Sequence, residues 1–119
     1  LYAMTYDSGI LYAVGIDGVL VTSTDQGKTW KERATGFTGP ELFCIDVVNG
    51  VGLAAGSGGH IIRTSDGGSS WQVMGVPEEI TRFWLSGIDL QETNAGGVRG
   101  LLVGQDGTVG RFDSGVLSW

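Results

Sequence analysis

The stretch Ser23-Thr24-Asp25-Gln26-Gly27-Lys28-Thr29-Trp30 has a near copy 41 residues later, Thr64-Ser65-Asp66-Gly67-Gly68-Ser69-Ser70-Trp71. A carboxylate, a glycine, a hydroxyl and a tryptophan recur in fixed order within a strand-rich chain, the signature of stacked β-units rather than one continuous sheet. Asp25 can fold its carboxylate back onto N–H groups of its own loop, Gly27 supplies the φ > 0 conformation, and Thr29 adds a local hydroxyl. Trp30 then opens the returning strand with a large apolar surface to bury. Asp66, Gly68, Ser70 and Trp71 hold the same roles. A third copy, Asp113-Ser114-Gly115-Val116-Leu117-Ser118-Trp119, has one residue more between Gly115 and Trp119, so a distorted turn is expected there.

Outward from these turns the text repeats. Leu1 to Tyr6 reads as a strand, Ser8-Gly9 as a turn and Ile10 to Gly15 as a second strand. Asp17-Gly18 is a two-residue hairpin signal, because both central positions of such a turn need φ > 0. Val19 to Ser23 and Trp30 to Ala34 complete four antiparallel strands, the content of one propeller blade. Residues 35–41 connect to a second unit: Leu42 to Val48, Val51 to Gly56, the Gly58-Gly59 turn, His60 to Thr64, and Trp71 to Val76. After Pro77 to Arg82, a third unit opens at Phe83 and Trp84 and runs through Ile88-Asp89-Leu90, Leu101 to Gly104, Asp106-Gly107, and Thr108 to Phe112. Gly18, Gly59 and Gly107 are spaced 41 and then 48 residues, which places an insertion of about seven residues around Gln91 to Arg99, in a position where loops often bind.

The eight-residue pattern resembles the Asp-box, or BNR-like, turn of sialidase-type repeats. The phrases from Gly15-Ile16-Asp17-Gly18 to Trp30 and from Gly56-Ser57-Gly58-Gly59 to Trp71 resemble the photosystem II assembly and stability factor family of β-propellers. The expected fold is all-β, with three four-stranded antiparallel propeller blades over residues 1–40, 41–81 and 82–119. Three blades leave two broad blade faces uncovered, so the expectation is half of a six-bladed ring closed by dimerisation, or part of a longer propeller. Entry on strand-like text at Leu1 reads as a processed product, an excised piece or a fragment. The resemblance alone favours an extracytoplasmic location and does not fix the compartment.

Composition narrows the function. The 119 residues include 22 glycines and 2 prolines, and that glycine share, more than twice the usual ~7%, suits many tight turns. Thirteen acidic and seven basic residues give a net charge of −6, with the basic ones scattered, so no nucleic-acid binding by phosphate neutralisation is expected. No apolar run nears the ~18 residues of a membrane span, and no membrane insertion is expected. Cys44 is the single cysteine, in an apolar run, and reads as a buried thiol.

Several residues are candidates for binding. Arg63 and Arg111 align in the third strands of the second and third units, with Thr22 in the first. They either receive a carboxylate or another acidic group, or cover apolar surface with their stems. Asp46 and Asp89 share an Ile-Asp phrase on inner strands, where carboxylates line a channel or, at separations of about 5–5.5 or 6.5–9.5 Å, act as a glycosidase pair. Trp84, with Tyr2, Tyr6 and Tyr12, offers rings for sugar stacking or for packing. Asp25, Gly27, Thr29, Trp30, Asp66, Gly68, Ser70, Trp71, Asp113, Gly115 and Trp119 read as structural. His60 is the only histidine, so neither a histidine metal cluster nor a serine triad can be assembled, and no cofactor or metal is expected. Sialidase chemistry asks for an arginine trio and a tyrosine nucleophile, and the arginine phrase is absent. The expectation is a non-enzyme, an interaction or assembly scaffold for a protein partner. The alternative is a carbohydrate-binding propeller or a fragment of an Asp-box glycoside hydrolase.

Overall fold

A computed structural model describes residues 1–36 and 38–119. The connection expected over 35–41 includes Phe37, which lies outside the described residues. Among the described residues twelve strands form three separate four-stranded sheets, each antiparallel and in simple sequence order. The first holds β1 (Ala3–Asp7), β2 (Ile10–Val14), β3 (Leu20–Ser23) and β4 (Lys31–Glu32). The second holds β5 (Leu42–Val48), β6 (Val51–Gly56), β7 (Ile61–Thr64) and β8 (Gln72–Met74). The third holds β9 (Leu85–Glu92), β10 (Val98–Gly104), β11 (Val109–Asp113) and β12 (Val116–Ser118).

Registers give the residue equivalences. Thr5 faces Tyr12, Asp46 faces Leu53 and Asp89 faces Leu101, so these pairs occupy one place in the three sheets. The expected insertion is thereby divided. Asp46 and Leu53 are seven residues apart and Asp89 and Leu101 twelve, so five residues enter the β9–β10 hairpin and two precede it. The hairpin residues lengthen both strands and replace a two-residue turn with the loop 93–97, closed by Thr93 N–H to Gly97 O at 2.8 Å. The fourth strands are shorter than expected, with two residues in β4 and three in β8 and β12. They are outer edges with a partner on one side only, and little packing extends them.

The third turn differs from the first two. Ser114 (φ 49°) and Gly115 (φ 93°) form a two-residue hairpin in which Asp113 pairs with Val116, so Asp113 ends a strand instead of sitting inside a loop. The cause lies one residue earlier. Phe112 occupies the place of Ser23 and Thr64, and it has no hydroxyl with which to organise the longer loop.

Strand alternation sends successive side chains of the middle sheet to opposite faces. Ile45, Val47, Ala54 and Ile62 pack against Tyr12, Val14 and Leu20 of the first sheet. Cys44, Leu53, Ala55 and Ile61 pack against Leu85, Leu90, Leu102 and Phe112 of the third. The core is therefore two seams between three sheets.

Candidate functional site

The two full turns are held by one hydrogen-bond pattern. Ser23 Oγ donates to Asp25 Oδ1 at 2.8 Å and accepts from Gly27 N–H at 2.9 Å, while Thr29 gives its N–H to Asp25 Oδ1 (2.9 Å) and its hydroxyl to Oδ2 (2.5 Å). Thr64, Asp66, Gly68 and Ser70 repeat every one of these bonds at 2.6–3.0 Å. Hydrogen bonds to the ionised form favour it, and those from Thr29 and Ser70, chiefly from their hydroxyls, lower Asp25 and Asp66 to about 2. Both carboxylates are fully engaged by their own loops. Sequence reading assigned the aspartates, the glycines and the following hydroxyls, and it missed Ser23 and Thr64, which stand two residues before each aspartate.

The two tryptophans part company. Trp71 is 7% exposed and meets Tyr12 edge-on at 6.5 Å, and the Tyr12 hydroxyl donates to Gly67 O at 2.8 Å. Trp30 stands at the same place on the uncovered first sheet, 41% exposed, with Nε1 donating to Gly27 O at 3.1 Å. Trp119 lies against Gly110, whose Cα has no room for a side chain beneath the ring.

Asp46 joins three sheets. Its Oδ1 accepts the Thr5 hydroxyl at 3.2 Å and its Oδ2 accepts Leu90 N–H at 2.7 Å, so this carboxylate clamps the inner strands β1, β5 and β9 together. Asp7 performs a similar service at the hairpin tips, accepting the N–H groups of Asn49 and Gly50 at 3.0 Å each. Charge-assisted bonds of this kind run about twice as strong as neutral ones. Asp89, the counterpart of Asp46, is exposed, and on the outer face of the third sheet it lines a shallow cavity of about 350 Å³ with Gln91, Arg99, Leu101 and Arg111.

The aligned arginines are not on one surface. Arg63 enters the seam between the second and third sheets, where its guanidinium lies 5.7 Å from the centre of the Phe112 ring, within cation–π range. Its Nε is buried with no hydrogen-bond partner among the described residues. Arg111 precedes Phe112 on β11, so alternation turns it to the opposite, outer face.

A further set appears only in three dimensions. Tyr2, Phe43 and Trp84, each 41 residues from the next, stand at the start of the three inner strands with ring centres 5.4 and 5.6 Å apart. Trp84 is 54% exposed, and its backbone N–H donates to Gln105 Oε1 at 3.0 Å. The Glu41 carboxylate beside Tyr2 is the main cause raising its phenol above the ordinary value. The third ring is not a repeat counterpart of the other two: Ser57 N–H bonds Glu41 O and Gln105 N–H bonds Trp84 O, so Trp84 holds the place of Glu41. Cys44 is buried, and desolvation pushes its thiol to about 12. Among the described residues no cluster of three or more His, Cys, Asp or Glu side chains is placed to hold a metal, and no helix is long and apolar enough to cross a membrane.

No protein-family profile matches the chain, and no curated protein matches it. Among solved structures it is similar to one described as YCF48 bound to D1 peptide, with a TM-score of 0.77 at 17% identity over 98% of this chain. The chain spans 39% of that protein's length. At this identity the likeness concerns the fold, and the three sheets are β-propeller blades.

Proposed function

We propose that the chain is a non-catalytic propeller scaffold that binds a protein partner and acts in assembly. Its units are the repeats 1–40, 41–81 and 82–119, with 23–30 and 64–71 as Asp-box turns, and a second copy completes the ring. The observation that carries this reading is the engagement of its chemical groups in holding sheets together. Asp46 has both oxygens bonded across blades, Arg63 packs on Phe112, and Asp25 and Asp66 serve their own turns. One end of this frame carries the exposed rings of Tyr2 and Trp84 with half-buried Phe43 between them, and aromatic rings are favoured anchors at protein interfaces. The likeness to YCF48, itself described as bound to a peptide, fits the same reading.

The half-exposed Trp84 ring supports a second reading, a carbohydrate-binding propeller or a piece of an Asp-box glycoside hydrolase. Selection of displayed peptides on the immobilised chain separates the two. The scaffold reading expects an enriched peptide family whose affinity falls about tenfold or more in Trp84→Ala, as for an interface anchor. Absence of any enriched peptide together with Trp84-dependent binding on a glycan array would replace it with the second reading.

A further inference from the structure

We propose that the outer face of the third sheet docks on the outer face of the first sheet of a second copy, so that two chains close head to tail into one ring. The inference rests on the scaffold reading above and gives its ring closure a residue-level form.

Two faces of the same protein carry matching residues. The face that the second sheet presents to the third carries Asp46, Leu53, Ala55, Ile61 and Arg63, with Leu53 opposite Arg63 and Ala55 opposite Ile61. The outer face of the third sheet carries Asp89, Leu101, Val103, Val109 and Arg111 in the same register, with Leu101 opposite Arg111 and Val103 opposite Val109. A carboxylate, a leucine, a small aliphatic, a β-branched residue and an arginine recur in the same places. In the covered seam these residues are mostly buried, whereas on the outer face Leu101 is 49% and Val109 52% exposed. The cavity beside Asp89 and Arg111 is thus an unfilled seam rather than a pocket shaped for a small ligand.

The first sheet supplies the complement. Its outer side carries Met4, Tyr6 and Trp30, exposed by 57%, 65% and 41%. Tyr6, which faces Leu11 on β2, holds the place that Leu90, facing Gly100, holds on the third sheet. Leu90 gives its backbone N–H to Asp46, so Tyr6 N–H is the donor for Asp89 of the other copy. Tyr12 meets Trp71 in the first seam, and Leu101, in the place of Tyr12, meets Trp30 across the new one. A contact between two different patches ends in a closed ring when its rotation closes.

Light scattering over a dilution series, on the full chain and on Leu101→Arg and Met4→Arg, tests the inference. Each variant damages one of the two patches at an exposed position. The full chain is expected near twice its 12.5 kDa mass. Each variant alone is expected to dissociate with a Kd raised about a hundredfold, as for charge placed at an interface centre. Mixing the variants is expected to restore part of the association, because one intact pair of patches then remains, and that recovery requires both to be folded. A folded monomer at every concentration overturns the inference. So does a dimer broken by Leu101→Arg but untouched by Met4→Arg, which is a contact of like faces. Peptide selection on Trp84 reads the scaffold function separately.

Discussion

Gly67 and Gly68 are adjacent and both lie at positive φ (71° and 86°), yet alanine is expected to be tolerated very differently at the two positions. An alanine in the left-handed region costs about 1–2 kcal/mol, and both sites bear that term. At Gly67 a Cβ meets nothing within 4 Å among the described residues. At Gly68 it stands 2.7 Å from Tyr12 Cε2, on a ring that is fully buried, edge-on to Trp71 and tied by its hydroxyl to Gly67 O. The ring cannot retreat, and overpacking of this sort adds about 1–3 kcal/mol. Urea unfolding is therefore expected to place Gly67→Ala about 1–2 kcal/mol below the parent and Gly68→Ala about 2–5 kcal/mol below it. Tyr12→Leu as a background removes the ring, and there the two alanine variants are expected to cost the same. Equal costs in the parent, or an unchanged difference in the Tyr12→Leu background, would refute the packing argument.

Three further outcomes follow from the bonds described. Asp66 titrates near 2 in the fold against an ordinary value of 3.8, so between those values the unfolded chain binds more protons and stability rises with pH. Acid unfolding curves are expected to show this contribution complete above about pH 5 and lost as pH falls towards 2, and to become shallower in Asp66→Asn, with the like contribution of Asp25 remaining. Cys44, buried and raised to about 12, is expected to resist alkylation by iodoacetamide at pH 8 in the folded chain and to react on unfolding, and rapid labelling in the fold would contradict its placement. Arg63→Ala is expected to destabilise the chain by about 1–2 kcal/mol through its lost place over Phe112. Arg111→Ala, measured by dilute urea unfolding, is expected to stay within about 0.5 kcal/mol.

What the sequence made legible depended on whether a residue acts within its own repeat or between repeats. Asp25 with Thr29, and Asp66 with Ser70, act across four residues, and a quoted turn contains both partners. The period and the Gly-rich hairpins located the strands for the same reason. Ser23 and Thr64 stood in plain view, yet a hydroxyl at a strand end has many ordinary roles, and only the bonds to Gly27 and Gly68 single it out. Phe112 at the same place shows the rule from its absence. Arg63 and Arg111 align perfectly, but one faces a following sheet and the other does not, a difference set by position in the array and not by local sequence. Asp46 read as channel lining because its acceptor role depends on Leu90 N–H, 44 residues away. The aromatic row of Tyr2, Phe43 and Trp84 was not legible in the repeat, because Trp84 stands in the place of Glu41 and only the three-dimensional packing brings its ring to Phe43.

The central claim is that side chains clamp three sheets into one rigid wedge of propeller blades. Amide hydrogen exchange followed by NMR tests it at Leu90, Asn49 and Gly50, whose N–H groups bond to the Asp46 and Asp7 carboxylates of neighbouring sheets. These amides lie on a strand edge or at a hairpin tip, where exchange is ordinarily fast. The account predicts protection at Leu90 approaching that of the central strands β6 and β10, with Asn49 and Gly50 slowed well below an open hairpin, and loss of the Leu90 protection in Asp46→Ala. Exchange at all three sites as fast as in free turns would contradict it, since the sheets would then be joined by their chain connections and apolar contacts alone.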